Sequence, residues 1–497
     1  MRKKKLIYNT VTSVLNQLVT MIYGFVLPKL FLSNFGSDMN GLISSITQFL
    51  GFIALMELGV GAVVQSALYK PIAEEDQAQI SRIVISAERF FKRVAMLFSI
   101  YVVVLLIAYP FVTINKYDFW FTFSIILILS VNSFAQYYFG MPYQILLNAE
   151  QKSYVHLLLK IGAYTLNLIV ATLLIKAGAG IQIVEICATA IFVMRPLLLS
   201  WYVKRHYQID RNVVIDKEPI EQKWNGLAQH VATVVRNNTD VVVLTILTTL
   251  KNVSIYSVYH NITTGVTNIV TSFTTGIQAL LGNMYAKEES ELLDRTFSTF
   301  EWTIHTVVTM VFTCAGILVL PFVTVYTKGV NDANYILPLF SSVLMMAQAA
   351  YCYRLPYNIM VMAAGHYRQT QTSAIIEMIL NIIISVLLVF KFDIVGVAVG
   401  TLIAMAYRTI YFVYYLSKNI LYRSPIIFVK QVIVDVMICI LTIIACHSIE
   451  MYGTSYMAWF VMAIKVALIS LGVSLGVNFI FSHNMLKEGI KMLKSKF

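Results

Sequence analysis

The sequence predicts an all-α membrane protein with about fourteen transmembrane helices. Three observations lead there. Of the 497 residues, 58 % are hydrophobic and only 12 % charged, where a soluble domain carries about 25 % charged residues; mean hydropathy is +0.73. Apolar runs recur along the whole chain, and the longest polar stretch, about Lys204 to Lys223, is too short to bury a core. Lysine and arginine also alternate in density between successive connections, as they do in multi-pass proteins.

A span needs roughly 20 apolar residues. That measure places helices at about 7–32, 41–69, 90–114, 119–147, 153–176, 180–203, 223–250, 254–283, 299–326, 335–363, 371–391, 394–418, 427–447 and 455–481. The first follows Met1-Arg-Lys-Lys-Lys5 and runs to Leu32 without a small-residue cleavage site, so it is expected as an uncleaved span. Polar clusters and proline punctuate the rest, as at Ser33 to Asp38, Lys328 to Asn334 and Arg423-Ser-Pro425. Between Glu74 and Arg93, charged and apolar positions alternate, with Ile80, Ile83, Val84, Ala87 and Phe91 on one side. That pattern predicts a helix lying on the cytoplasmic surface ahead of the third span.

With the amino terminus in the cytoplasm, the inner segments hold 24 lysines and arginines and the outer ones five: Lys116, Lys176, Lys251, Lys328 and Lys391. This bias predicts an even number of spans with both termini inside. It also accounts for the net charge of +12, so no nucleic-acid partner is expected. The five cysteines all fall in apolar runs without C-x-x-C spacing, which predicts packing rather than disulfides or metal.

The chain repeats itself. At an offset of 214, Pro142, Tyr143, Ile145 and Ala149 match Pro356, Tyr357, Ile359 and Ala363, and the register continues through Ile161, Leu166, Asn167, Ile169, Leu173 and Leu174. These are ten identities in thirty-three positions, where apolar composition alone gives about three to five. After a one-residue adjustment Arg195 meets Arg408. The parallel register predicts two six-helix bundles related by an axis along the membrane normal, with a substrate path between them and two helices outside the repeat. The expected divisions are a first lobe at 1–205, a cytoplasmic linker at 206–222, a second lobe at 223–420, and a last helix pair with its tail at 421–497.

Ionisable groups within spans mark interior pathways. Arg236-Asn237-Asn238-Thr239-Asp240 opens the seventh span, where His230, Thr233, Asn237 and Asp240 share a helical face and Arg236 stands four residues from Asp240. The eighth span carries a polar stripe of Asn261, Thr264, Asn268, Thr271, Thr275 and Gln278, and the first carries Asn16, Gln17, Thr20 and Tyr23. Lys160, Arg236, Asp240, Arg354 and Glu377 lie in the repeated segments and are the cavity candidates; Lys29, Arg195, Arg408 and Glu301 are placed near span ends, where snorkelling explains them. Asp435 and Lys465 are expected to pair. Glu57, beside Gly59 and Gly61, suits a buried partner as well as a transport role. Arginine and lysine in a cavity select anions, arginine pairing phosphate bidentately. A P-loop and an H-E-x-x-H motif are both absent from the sequence.

Asn238 to Leu247 with Val253 to Tyr259, together with Phe35 to Gly41 and Glu57 to Gly61, resembles the polysaccharide transporter family of oligosaccharide and O-antigen flippases, in that order along the chain. The resemblance implies a fold like that of multidrug and toxic-compound extrusion (MATE) proteins. It further implies translocation of an undecaprenyl-pyrophosphate-linked oligosaccharide across a bacterial cytoplasmic membrane by alternating access, with an H+ or Na+ gradient and no cofactor. Polysaccharide polymerase and glycosyltransferases become the expected partners, besides membrane lipids. Asp240, Glu57 and Glu377 are then the ion-coupling candidates, Glu57 standing where many relatives have Asp. Arg236, Arg354, Lys160, Asn237, Asn261 and Asn268 are the substrate-binding ones. Two alternatives are a drug or cation antiporter of the same fold, which predicts an acidic cavity, and a membrane glycosyltransferase or polymerase, which predicts a long external loop and no duplication.

Overall fold

A computed structural model describes residues 2–57, 59–211, 227–274 and 276–487. Every regular element among them is helical. In chain order these are α1 (Arg2–Gly51), α2 (Ile53–Glu57), α3 (Val60–Glu74), α4 (Gln77–Thr113), α5 (Phe119–Ala135), a π-turn (Gln136–Gly140), α6 (Met141–Ala149), α7 (Ser153–Lys176), α8 (Ile181–His206) and α9 (Leu227–Leu247). There follow α10 (Leu250–Ser272), α11 (Ile277–Ala286), α12 (Ser290–Tyr326), α13 (Pro338–Tyr353), α14 (Leu355–Ala363), α15 (Gln371–Phe392), α16 (Ile394–Asn419), α17 (Ile426–Cys446) and α18 (Tyr456–Phe481).

Ten helical segments among the described residues are long and apolar enough to cross a membrane, which makes this a multi-pass membrane protein. Helix occupies each of the fourteen expected stretches, but several are interrupted. Gly36, at φ 82°, breaks α1 in a conformation that only glycine adopts freely. Beyond it the second stretch continues as the remainder of α1, then α2 and α3. The eighth stretch divides into α10 and α11, with Thr275 outside the described residues, and the tenth into α13 and α14 at Arg354. Starts are fixed locally: the Asp76 carboxylate accepts from Gln79 N (2.9 Å), Asp118 from Trp120 N (3.0 Å) and the Ser455 hydroxyl from Ala458 N (3.2 Å).

The helix expected on the cytoplasmic surface is not a separate element. It forms the first turns of α4, which runs 37 residues without a break. Ile80, Ile83, Val84, Ala87 and Phe91 are all buried in the protein core, so the face expected to meet lipid is packed against protein. At 1.5 Å per residue a helix of this length measures about 55 Å, nearly twice the ~30 Å hydrocarbon thickness. Helix α12, also 37 residues, matches it.

The chain forms two compact units, Met1–Ser254 and Ile255–Phe497. In the first, α1 packs along α7, α7 along α8 and α8 along α5, around a core containing Leu42, Leu68, Phe91 and Phe98. Helix α9 packs on α1, where Ser45 Oγ and Thr245 Oγ1 lie 2.6 Å apart and Asn40 donates to Ser254 Oγ at 2.8 Å. In the second, α15 lies against α16, with Gly400 so close to Ser385 that a Cβ would collide with it. Helices α17 and α18 pack on α12.

The duplication extends beyond the matched sequence. Helices α4 and α12 have the same length and begin 213 residues apart, as do α8 and α16, each 26 residues long. The π-turn at 136–140 and the break at Arg354 interrupt the equivalent helix of each half.

Candidate functional site

In the first unit the π-turn sets the geometry. It carries Gln136, whose Oε1 accepts from Arg195 Nη2 on α8 at 2.6 Å and whose Nε2 donates to Gln144 Oε1 on α6 at 3.2 Å. Arg195 and α7's Lys160, with His156 one turn before it and Tyr164 one turn after, line a cavity of about 320 Å³. Met141, Leu157 and Leu199 supply its apolar surface. The Lys160 ammonium stands 5.2 Å from the Tyr164 ring centroid, and Tyr164 stacks on Tyr23 of α1 at 4.5 Å. His156 Nε2 is 2.8 Å from Asn148 Oδ1. Neither Lys160 nor Arg195 has an acidic partner among the described residues. The cavity therefore presents two cations, amide groups and an aromatic wall, a set suited to a multiply charged anion carrying a ring.

The second unit treats equivalent positions differently. Arg354, at the break between α13 and α14, donates from Nη1 to Glu377 Oε1 at 2.7 Å, and Arg408 donates from Nη1 to Glu377 Oε2. All three side chains are buried. Arg408 is the repeat partner of Arg195; Glu377 corresponds to Ala163 and Lys160 to Ala374. One carboxylate thus holds two guanidiniums inside the second unit, whereas the first has alanine at that place and a cavity.

A second pair of contacts is repeated without change of kind. Tyr143 OH donates to Glu88 Oε1 at 2.7 Å, and Tyr357 OH donates to Glu301 Oε1. The tyrosines are repeat partners at offset 214 and the glutamates at 213. Among the described residues, only in the second unit does the glutamate gain a cation: Arg423 Nη2 donates to Glu301 Oε2 at 2.5 Å.

The residues singled out in the sequence fall as follows. Lys160 lines the cavity; Arg354 and Glu377 come together, in the other unit. Asp240 is buried on α9 and Asn237 is exposed, while the side chains of Arg236 and His230 lie outside the described residues. Glu57 is half-buried and accepts from Tyr137 OH at 3.3 Å. Asn261 is half-buried and Asn268 exposed on α10. Two expectations require correction. Arg195 and Arg408 are mid-helix, each fourteen residues beyond the start of its helix, so neither is at a span end. Asp435 pairs with His305 rather than Lys465, which is exposed. Arg195, Gln136, Gln144 and His156 were missed as site residues; the Arg195/Arg408 match was the available signal.

No protein-family model matches the chain, and no curated protein sequence does. Solved structures do match. The lipid II flippase MurJ, in an inward closed conformation, superposes with a TM-score of 0.70 at 14 % identity, covering 97 % of this chain and 100 % of that one. This chain has the fold of the MurJ and MATE transporters. An inward-facing multidrug resistance MATE transporter of the MOP superfamily gives 0.60 at 14 % identity over 80 % of this chain and 94 % of that one, and an outward-facing form 0.54 at 14 % over 84 % and 96 %. The matched proteins are transporters, none of the three an enzyme.

Proposed function

We propose that this protein is a flippase that moves an undecaprenyl-pyrophosphate-linked oligosaccharide repeat unit across the bacterial cytoplasmic membrane for cell-surface polysaccharide synthesis. On this reading the chain crosses the membrane fourteen times and works by alternating access. The observation that carries the proposal is the first unit's cavity, where Lys160 and Arg195 stand, with no acidic partner among the described residues, beside a stacked tyrosine pair. Two neighbouring cations in a low-dielectric setting attract a diphosphate far more strongly than they would in water. At about 320 Å³, the cavity is at the small end of ligand pockets and suits a charged head rather than a whole oligosaccharide. A drug or cation antiporter needs the opposite sign of charge there.

Within this reading Lys160 binds substrate, and Arg236, Asn237, Asn261 and Asn268 remain proposed contacts along its path. Asp240 and Glu57 are the proposed ion-coupling residues on α9 and α2. Arg354 and Glu377 satisfy each other, and we assign them to holding the second unit together. The test is a deletion strain. Lipid-linked repeat units should accumulate inside it, wild-type protein should clear them, and a Lys160→Gln, Arg195→Gln double variant present at normal level should not. Clearance by the double variant would remove the cavity from the mechanism; failure of repeat units to accumulate in the deletion would remove the flippase reading itself.

A further inference from the structure

Helix α12 carries a second buried ionisable group one turn beyond Glu301. His305 is fully buried, and its Nδ1 lies 2.6 Å from Asp435 Oδ2 on α17. Asp435 is itself 3 % exposed and accepts at Oδ1 from Gln431 Nε2 at 3.3 Å. The imidazole is packed between Tyr353 of α13 (4.8 Å between ring centroids) and Phe428 of α17 (5.5 Å). Among the described residues its Nε2 has no hydrogen-bond partner. The groups around it are Glu301 one turn away on its own helix, Asp435 on α17 and Tyr353 on α13, whose hydroxyl is 2.8 Å from Thr309 Oγ1 and which in turn has Asp435, Cys439 and Cys352 as neighbours. Arg423, in the α16–α17 connection, is engaged by Glu301.

A joint made only for strength would use both ring nitrogens, because an unmet buried polar atom costs about 1–3 kcal/mol. Helix docking already has other polar contacts here, Arg423 to Glu301 and Trp302 Nε1 to Asn478 Oδ1 at 2.8 Å. A metal ion is a poor fit, since no group of three or more His, Cys, Asp or Glu ligands occurs among the described residues. What the bare Nε2 accepts without rearrangement is a proton. His305 Nδ1 and Asp435 Oδ2 are close enough to share one proton; a second proton arriving at Nε2 raises the charge of the pair by one, and its departure restores the first state. The repeat makes the site particular to this half: the position equivalent to His305 is Lys92, on α4, at offset 213.

We propose that His305 and Asp435 form a proton-binding site whose occupancy is coupled to transport. This rests on the transporter reading and adds to it a coupling site shared by a repeat helix and a helix outside the repeat. The test uses purified full-length protein in liposomes, with His305→Gln and Asp435→Asn, which keep hydrogen-bonding groups but remove the titrating ones. Infrared difference spectra taken on stepping the pH, with bicarbonate-free buffer as the only addition, should show an imidazole or carboxyl band in wild type that both variants lose. In the deletion strain, both variants should lose clearance of lipid-linked repeat units although they insert and elute as folded protein. Unchanged difference spectra in both variants overturn the proton site, and clearance at the wild-type level overturns its coupling to transport. Neither result touches the flippase reading, which falls only if the deletion strain accumulates nothing. If Asp435→Asn does not fold, His305→Gln alone decides both questions.

Discussion

The two halves of this chain share a backbone plan and differ in how they treat charge. In each, a helix interrupted near its middle leads to a tyrosine that donates to a glutamate on a 37-residue helix. In each, an arginine stands fourteen residues into a 26-residue helix. Yet Arg408 is held with Arg354 by Glu377, while Arg195 donates to the side-chain carbonyl of Gln136 and shares a cavity with Lys160. The difference teaches that duplication preserved the frame and freed single positions: Ala163 for Glu377, Lys160 for Ala374 and Gly140 for Arg354 separate a site with charge to spare from a self-satisfied core, and the alanine-for-glutamate exchange decides whether a counter-charge is present.

The exchange can be imposed. Ala163 is buried on α7, three residues beyond Lys160 and on the same face. Ala163→Glu should bring the first half's cations under a carboxylate and abolish clearance of lipid-linked repeat units in the deletion strain, as completely as loss of Lys160 and Arg195 together; full clearance would show that free positive charge is not what the cavity supplies. In the other half, Glu377→Gln leaves two buried guanidiniums without their counter-charge, so unfolding in detergent should show a loss of about 3–5 kcal/mol. Adding Arg354→Met and Arg408→Met should recover much of it, and a silent Glu377→Gln would break the contrast. Smaller effects separate the repeated tyrosines. Tyr357→Phe removes a hydrogen bond to a buried carboxylate and should cost about 1.5–3 kcal/mol. Tyr143→Phe, opposite the half-buried Glu88, should cost less in the same thermal-denaturation series, and equal losses would mean that burial does not distinguish them.

Much of this frame was legible in the sequence. Hydropathy located helix in every expected stretch, and the offset of 214 anticipated equivalences that continue into α4 and α12. What was not legible depended on partners far along the chain. His305 and Asp435 are 130 residues apart, and nothing local to Asp435 favours one partner over Lys465. Arg195 was misplaced for a different reason. The expected span, 180–203, nearly coincides with α8, which ends at His206 through Lys204 and Arg205, basic residues that suit a helix carboxyl terminus. Eight residues of expected span beyond Arg195 are already about two helical turns, so the boundaries were right and the depth of the arginine was underrated. The surface-helix expectation for 74–93 failed because alternating charge reports only that one side is wet; whether the apolar side meets lipid or protein is decided by tertiary packing.

Helices α4 and α12, being unbroken over 37 residues, have a mechanical consequence. Upstream of Pro110 and Pro321 neither contains a proline, and such a stretch of α-helix bends only gently, so each behaves there as a stiff rod with a greasy shaft and a charged handle, Arg82 and Glu88 on one, Glu291, Asp294 and Arg295 on the other. A force applied at the handle is delivered several turns away as tilt. On α12 the shaft passes through Glu301 and His305, and a lean of the rod is felt at the imidazole as a change in its distance from α17.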